Sequence, residues 1–375
     1  MLTIAALSLA IWVYLVFARG GFWLAGERER GALAPAVWPE VVAVIPARDE
    51  AESVGATVAS LLAQGYPGAF RIVLVDDESA DGTAEIARAA GGTERLQIVA
   101  GSPTPDGWTG KLWAVAQGLA QAGAPRYLLL TDADIVYAPD ALSGLVARAE
   151  AEGLALNSLM ARLRCISWQE RFAIPAFVLF FQMLYPFAWV NDPGRRTAAA
   201  AGGCMLVHRE TLEAAGGIGA IRGSLIDDCA LAALLKARAP IRLSLAERVS
   251  SLRRYDDLGE IRRMVVRSAY AQLHYSPVLL VFALAAMGVV FLAPVAAALS
   301  GHAAARTCGL CAWLLMAAAF QPTLRDYRTS PLWGAALPLV AALYMVYTLE
   351  SALASALGRG GLWKGRYQER VARGG

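Results

Sequence analysis

The sequence predicts an α/β protein built on a doubly wound, mostly parallel sheet, with one apolar helix before the sheet and several after it. Three observations carry that prediction. Between about residues 40 and 275, short apolar runs of strand type alternate with stretches of helical periodicity. Several of those runs end on acidic residues. Outside that region the chain turns continuously apolar, in keeping with 57% hydrophobic against 17% charged residues overall.

Residues 2–18, LTIAALSLAIWVYLVFA, carry no charge and are just long enough to span a bilayer; Arg19, Arg28 and Arg30 follow. No basic segment precedes the run and no small-x-small cleavage pattern closes it, so residues 1–24 read as a retained membrane anchor with its arginine-rich side cytoplasmic. After the linker GALAPAVWPE a domain begins near Glu40. VVAVIPARDE reads as a buried strand running into a loop, AESVGATVASLLAQ as a helix, FRIVLVDDES as a second strand and DGTAEIARAA as the start of another helix. The domain is expected to extend to residue 275. Within it, the aromatic stretch at 174–190, broken by Pro175 and Pro186, is placed at the membrane interface, with a core helix as the competing reading. Apolar runs near 278–299, 307–321 and 332–354 then read as membrane helices in a region 276–356, followed by a basic tail at 357–375. Three crossings would carry that tail to the side opposite a cytoplasmic catalytic domain, against the positive-inside tendency, which makes one run a candidate re-entrant segment.

A formal net charge of +3 over 375 residues gives no case for nucleic-acid binding. Five cysteines, odd in number and scattered, read as reduced thiols, and three histidines are too few for a histidine-rich zinc site. Any metal should be held by oxygen. In sheets of the predicted kind ligands collect beyond the carboxyl ends of the strands, so the acids there invite a chemical reading. RYLLLTDAD ends a hydrophobic run on Asp132 and Asp134, two residues apart, able to face one ligand from a strand end. Two buried like charges are costly unless a cation or donors compensate, and carboxylate oxygens suit Mg²⁺ or Mn²⁺, which also bind substrate phosphates. The plainer reading is capping of the next helix.

VIPARDE brings Arg48, Asp49 and Glu50 to a helix start, where capping alone would also place acids. LVDDESADGT adds Asp76 and Asp77 at a strand end, placed to accept hydrogen bonds from a base or ribose. Lys111 opens a helix, where an ammonium and helix-end amides could meet a diphosphate. Gly202 and Gly203 precede a short strand and allow close backbone approach to a ligand. Asp227 and Asp228 head another helix; one suffices for a cap, and a second is a candidate general base. RRYDDLGEIRRMVVRSAYAQLHYSP is basic and amphipathic and enters the membrane region, either as a lipid-facing helix or with Arg267 reaching a leaving diphosphate.

VIPARDE, VDDESADGT, GK at 110–111, TDAD, GGCMLVHRETLEAAGG, IDDCALA and WKGR, in this order, resemble the family 2 glycosyltransferases of GT-A fold, and the layout is similar to the hopene-associated glycosyltransferase group. The resemblance implies that Pro46, Arg48, Glu50 and Asp77 line a nucleotide pocket with Asp76 adjacent. It implies that Asp132 and Asp134 hold the metal, and that Asp228 is the catalytic base beside Asp227, where the family has glutamate. One departure stands out: the Gln-x-x-Arg-Trp motif of processive synthases is replaced by MVVRSAYAQL, where Arg267 takes the arginine's place and no tryptophan follows. That favours single-sugar transfer. The implied activity is inverting transfer from a nucleotide sugar, expected to be UDP-linked, to the hydroxyl of a hopanoid-type lipid, by a multi-pass protein of a bacterial-type inner membrane. Polyprenyl-phosphate or ceramide-like acceptors, and a non-enzymatic membrane scaffold, are the competing readings.

Overall fold

An apolar run without a polar break is what a strand buried on both faces requires, and Val41–Ala47 (β1) is buried at every position in the computed structural model of the protein, which describes residues 1–91 and 94–367. Phe70–Asp76 (β2), Leu96–Ala100 (β3) and Tyr127–Thr131 (β4) follow, with Ile135–Tyr137 (β5), Leu156–Arg162 (β6), Cys204–His208 (β7) and Ile241–Ser251 (β8) completing one sheet in the order β3-β2-β1-β4-β7-β6-β8-β5. β1 pairs in parallel with β2 and β4, and β2 with β3, as the strand and helix alternation predicts. Beyond β4 the prediction of a mostly parallel sheet fails. β7 runs antiparallel to both β4 and β6, β5 runs antiparallel to β8, and only β6 and β8 are parallel there. The sheet is therefore mixed. A short apolar run such as CMLVH serves equally in either direction, so pattern alone cannot show the reversal.

This sheet belongs to a unit formed by Glu27–Arg164, Trp189–Arg254 and the chain from Trp363. Its core is the apolar face of β1, β2 and β4 packed on the helices Val54–Leu62 and Ala141–Glu152, with Leu61, Leu129, Leu142 and Leu145 almost wholly buried. On the helix Gly110–Gln121, Gly118 has a steric reason: a Cβ there would lie 2.5 Å from Val44 Cγ1 and 3.1 Å from Val75 Cγ2. Bare backbone lets this helix lie close on β1 and β2, which fixes the height at which its first turn meets the strand ends.

A second unit comprises Met1–Gly26, Cys165–Ala188 and Tyr255–Leu362 and is helical. Pro277–Ala298, Ala303–Asp326 and Pro331–Ala356, of 22, 24 and 26 residues, are long and apolar enough to cross a membrane, whereas Leu2–Ala18, with 17, is shorter. Trp12 on that shorter helix is fully buried, stacks edge-on with Phe291 at 5.8 Å and donates its indole N–H to Val290 O at 2.7 Å. The acceptor lies in a π-helical turn, Gly288–Leu292, whose wider winding frees a carbonyl for such a partner. The aromatic stretch at 174–190 lies mostly in one helix, Trp168–Leu184, started by a reciprocal Ser167 and Glu170 cap. Pro175 sits inside that helix without ending it, while the chain leaves the helix before Pro186. Its Phe180 packs 5.3 Å from Tyr344, within the apolar core of the same unit. The amphipathic basic segment becomes the helix Leu258–Ser268, capped by Asp257 and tied by an Arg262–Glu350 ion pair. All five cysteines are present as thiols. The basic tail expected at 357–375 lies outside the described residues from 368 onward.

Candidate active site

In the parallel half of the sheet the strand order reverses direction of growth between β1 and β4, the place where an open sheet forms a crevice beyond its carboxyl ends. β1 runs out there into Arg48, Asp49 and Glu50, and β4 into Asp132, Ala133 and Asp134. Thr109 caps the neighbouring helix by accepting from Leu112 N, and the first turn presents Lys111 to the crevice. Its Nζ stands 2.9 Å from Asp132 Oδ1 and 3.1 Å from Asp227 Oδ2. Burial alone would lower the pKa of this ammonium, but the carboxylates of Asp132, Asp227 and Asp228 outweigh it and hold the group above the ordinary lysine range.

Asp227 and Asp228 occupy the first turn of the helix Asp227–Lys236, whose N-cap is Ile226 and has no side-chain bond to offer. Neither acid is therefore the cap residue itself, although Asp228 meets one amide of the first turn. Asp228 accepts from Gly202 N at 3.0 Å through Oδ2 and from Cys229 N at 2.7 Å through Oδ1. Burial first, and then the adjacent Asp227, push its carboxyl up to about 6, against the opposing pull of Lys111 and the two N–H groups. Gly202 makes this meeting possible, because a Cβ at that position would lie 3.3 Å from Lys111 Nζ and 3.5 Å from Asp228 Oδ2. Pro46, Lys111, Asp132, Gly202 and Asp227 line one cavity, the rest of whose wall is almost entirely apolar.

β4 ends at Thr131, so Asp132 and Asp134 stand in a turn and strand alternation does not set their directions. Asp132 meets Lys111, whereas Asp134 accepts from Ser251 Oγ at 3.2 Å. Their charges still interact. Burial, followed by the carboxylates of Asp132 and Glu50, pushes Asp134 up to about 6, with Arg253 opposing. Around the end of β1, the Arg48 guanidinium lies 3.6 Å from the fully buried Asp77 carboxylate and 3.7 Å from Glu78. Asp76 turns its carboxylate to Ser79 N at 3.3 Å, within the loop that follows β2. Glu50 is ion-paired with Lys364 at 2.9 Å.

The sheet unit thus carries Pro46, Arg48, Glu50, Asp76, Asp77, Lys111, Asp132, Asp134, Asp227 and Asp228, while Arg267 lies on the helix Leu258–Ser268 of the helical unit. Sequence reasoning gave no role to Ser251, Arg253 or Lys364. The first two arrive through the pairing of β5 with β8, Ile135 opposite Ser251, a long-range register with no local signal. Lys364 had one, as part of WKGR. Among the described residues no group of three or more His, Cys, Asp or Glu side chains stands together to hold a metal ion.

Residues 42–216 match the family described as Glycosyl transferase family 2. Among solved structures the chain is similar to the mannosyltransferase PcManGT from Pyrobaculum calidifontis, in complex with GDP-Man and Mn²⁺, at 20% identity over 96% of this chain and 99% of that one, with a TM-score of 0.56. Lower similarity is found to TarS 1–349 of S. aureus in complex with UDP-GlcNAc, at 14% identity over 85% and 92% of the two chains and a TM-score of 0.40. Glucosyl-3-phosphoglycerate synthase from Mycobacterium tuberculosis shares 19% identity over 66% and 80%, with a TM-score of 0.38. No curated protein matches the chain. The match over residues 42–216 identifies a glycosyltransferase family 2 domain, and the chain is a glycosyltransferase.

Proposed function

We propose that this glycosyltransferase is a membrane-bound inverting enzyme that moves a single sugar from a nucleoside diphosphate sugar to a lipid hydroxyl of hopanoid type. The observation that carries the reading is the Asp132–Lys111–Asp227 bridge with Asp228 held beside it by Gly202 N–H. An acceptor hydroxyl hydrogen-bonded to Asp228 gives up its proton to that carboxylate as its oxygen attacks the anomeric carbon. The new C–O bond forms as the bond to the diphosphate breaks on the opposite face, which inverts the centre without a covalent enzyme intermediate. A carboxyl raised to about 6 is ionised at neutral pH yet more basic than an ordinary aspartate, the compromise that general-base catalysis favours. Lys111 spends two of its three N–H donors on Asp132 and Asp227, and its remaining donor suits a diphosphate oxygen.

The acids also fit a divalent cation. Mg²⁺ and Mn²⁺ sites of this type use one or two carboxylates and complete their shell with water and substrate phosphate, so a cluster of three protein ligands is not required. Asp134 is raised by burial first and then by the charges of Asp132 and Glu50, and a cation beside it would favour its ionised form. Asp132 and Asp134 would hold the ion, which would neutralise charge on the leaving diphosphate. Three helices of membrane-crossing length support a multi-pass protein with a lipid acceptor; the bacterial-type inner membrane rests on the resemblance, and a cytoplasmic catalytic unit on Arg19, Arg28 and Arg30 after the first apolar run. The hopanoid assignment rests on the resemblance running from VIPARDE to WKGR. The donor is expected to be UDP-linked, and because PcManGT holds GDP-Man, GDP-linked sugars belong in the same test.

Purified protein in detergent, screened for nucleoside diphosphate release from UDP- and GDP-sugars with and without lipid extract, should turn over one donor class and require lipid. Release independent of lipid, or a product that lengthens with time, would refute single transfer to a lipid. Asp228→Asn should lower transfer by about a thousandfold, the scale of a lost general base, while nucleotide-sugar binding survives. Loss of binding as well would reassign Asp228 to the donor pocket.

A further inference from the structure

We propose that Lys364, close to the C-terminal end of the chain, is a donor-site residue: its ammonium screens Glu50 and its carbonyl fixes Arg48, so that the nucleotide pocket is completed by this turn. The inference rests on the functional reading above and on the resemblance that implies Arg48 and Glu50 line the nucleotide pocket.

Three contacts converge on Lys364. Its Nζ lies 2.9 Å from Glu50 Oε1 and donates to Asp49 O at 2.8 Å, while Arg48 Nε donates to Lys364 O at 3.3 Å. All of these groups belong to the sheet unit. The backbone on both sides is held in an unusual form. Lys364 has φ +44° and is followed by Gly365 at +82°, a turn conformation in which glycine, asparagine or aspartate is the ordinary choice. Asp49 at +49° and Glu78 at +56°, flanking the Arg48 guanidinium, share the left-handed region. A lysine kept where its backbone is disfavoured points to a task for its side chain.

The task follows from charge. A nucleoside diphosphate approaching the ends of β1 and β4 meets Glu50, Asp132 and Asp134. Lys111 answers Asp132, and Arg48 is engaged with Asp77 and Glu78. Lys364 supplies the ammonium that neutralises Glu50, and both side chains stay about one-fifth exposed, so the pair remains open to a ligand. Without that ammonium, the pocket would face the diphosphate with an unmatched carboxylate.

The test uses full-length protein in detergent, with UDP and GDP as probes of binding and the turned-over nucleotide sugar for kcat and KM. Lys364→Met should weaken diphosphate binding and raise donor KM about tenfold, the equivalent of one charge-assisted contact, with a smaller change in kcat. Lys364→Arg should recover most of the affinity. Adding Glu50→Gln to Lys364→Met should also recover part of it, because the repelling charge is then gone. Unchanged affinity in Lys364→Met, or no recovery in either companion variant, overturns the inference. Failure of the wild-type protein to bind any nucleoside diphosphate overturns the functional reading together with it.

Discussion

Removing the ammonium of Lys111 tests the geometry at the centre of the site. Lys111 Nζ and Asp228 Oδ2 both lie within 3.5 Å of the point where a Gly202 Cβ would sit, so they are at most about 7 Å apart. At that separation, and with an effective dielectric of about 20, unit charges attract by about 2 kcal/mol. That corresponds to roughly one and a half pKa units. In Lys111→Met the carboxylate of Asp228 loses this support, its neutral form gains, and its pKa should climb from about 6 toward the range above 7. The adjacent Asp227 acts with the opposite sign, since its charge raises Asp228. Asp227→Asn should therefore carry the pKa below 6. The assay is kcat/KM for sugar transfer against pH at constant ionic strength and saturating divalent cation, where the acid limb reports the base in the free enzyme. Lys111→Met should displace that limb to higher pH and Asp227→Asn to lower pH. Limbs that stay put, or move in the same direction, would refute Asp228 as the group that must be ionised.

Two more outcomes follow. Treatment with a chelator should abolish transfer, with recovery on adding Mg²⁺ or Mn²⁺; full activity after chelation would remove the metal role of Asp132 and Asp134. Gly118→Ala gains about 1 kcal/mol of helix propensity, but its Cβ would fall 2.5 Å from Val44 Cγ1, and overpacking of that kind costs about 1–3 kcal/mol. A net loss of stability by denaturant titration is expected, and a more stable variant would show that this helix has room to rise from β1.

The parallel half of the sheet was legible because its strands are buried on both faces and so appear as unbroken apolar runs, VVAVIPA and YLLLT, each stopping at charged residues where the strand meets solvent. The same stops gave Arg48, Glu50, Asp132 and Asp134 as candidates. The antiparallel part was not legible, because pairing of β7 with β4 and of β5 with β8 joins residues far apart in the chain and leaves no periodic trace. Asp132 and Asp134 were read as neighbours just past the end of a strand; the strand does end at Thr131, and beyond it Asp132 meets Lys111 while Asp134 meets Ser251. Helix 168–184 defeated the expectation of a break at Pro175, since a buried helix tolerates the loss of one backbone bond when its faces pack.

Partners were harder to foresee than acids, for a physical reason. A carboxylate advertises itself at a strand end, but the cation that permits its burial comes from wherever the chain returns. Lys111 serves Asp132 and Asp227, Arg48 serves Asp77, and Lys364, more than three hundred residues later, serves Glu50. Asp134 has a hydroxyl from Ser251 and the charge of Arg253. Asp228 differs from all of these: its oxygens are met by two backbone N–H groups, and Lys111 acts on it through space. Ion pairs and backbone N–H donors both lower a carboxyl's affinity for a proton, but at Asp228 burial and the adjacent Asp227 outweigh Lys111 and the two N–H groups. On that balance rests the proposal that Asp228 takes the proton.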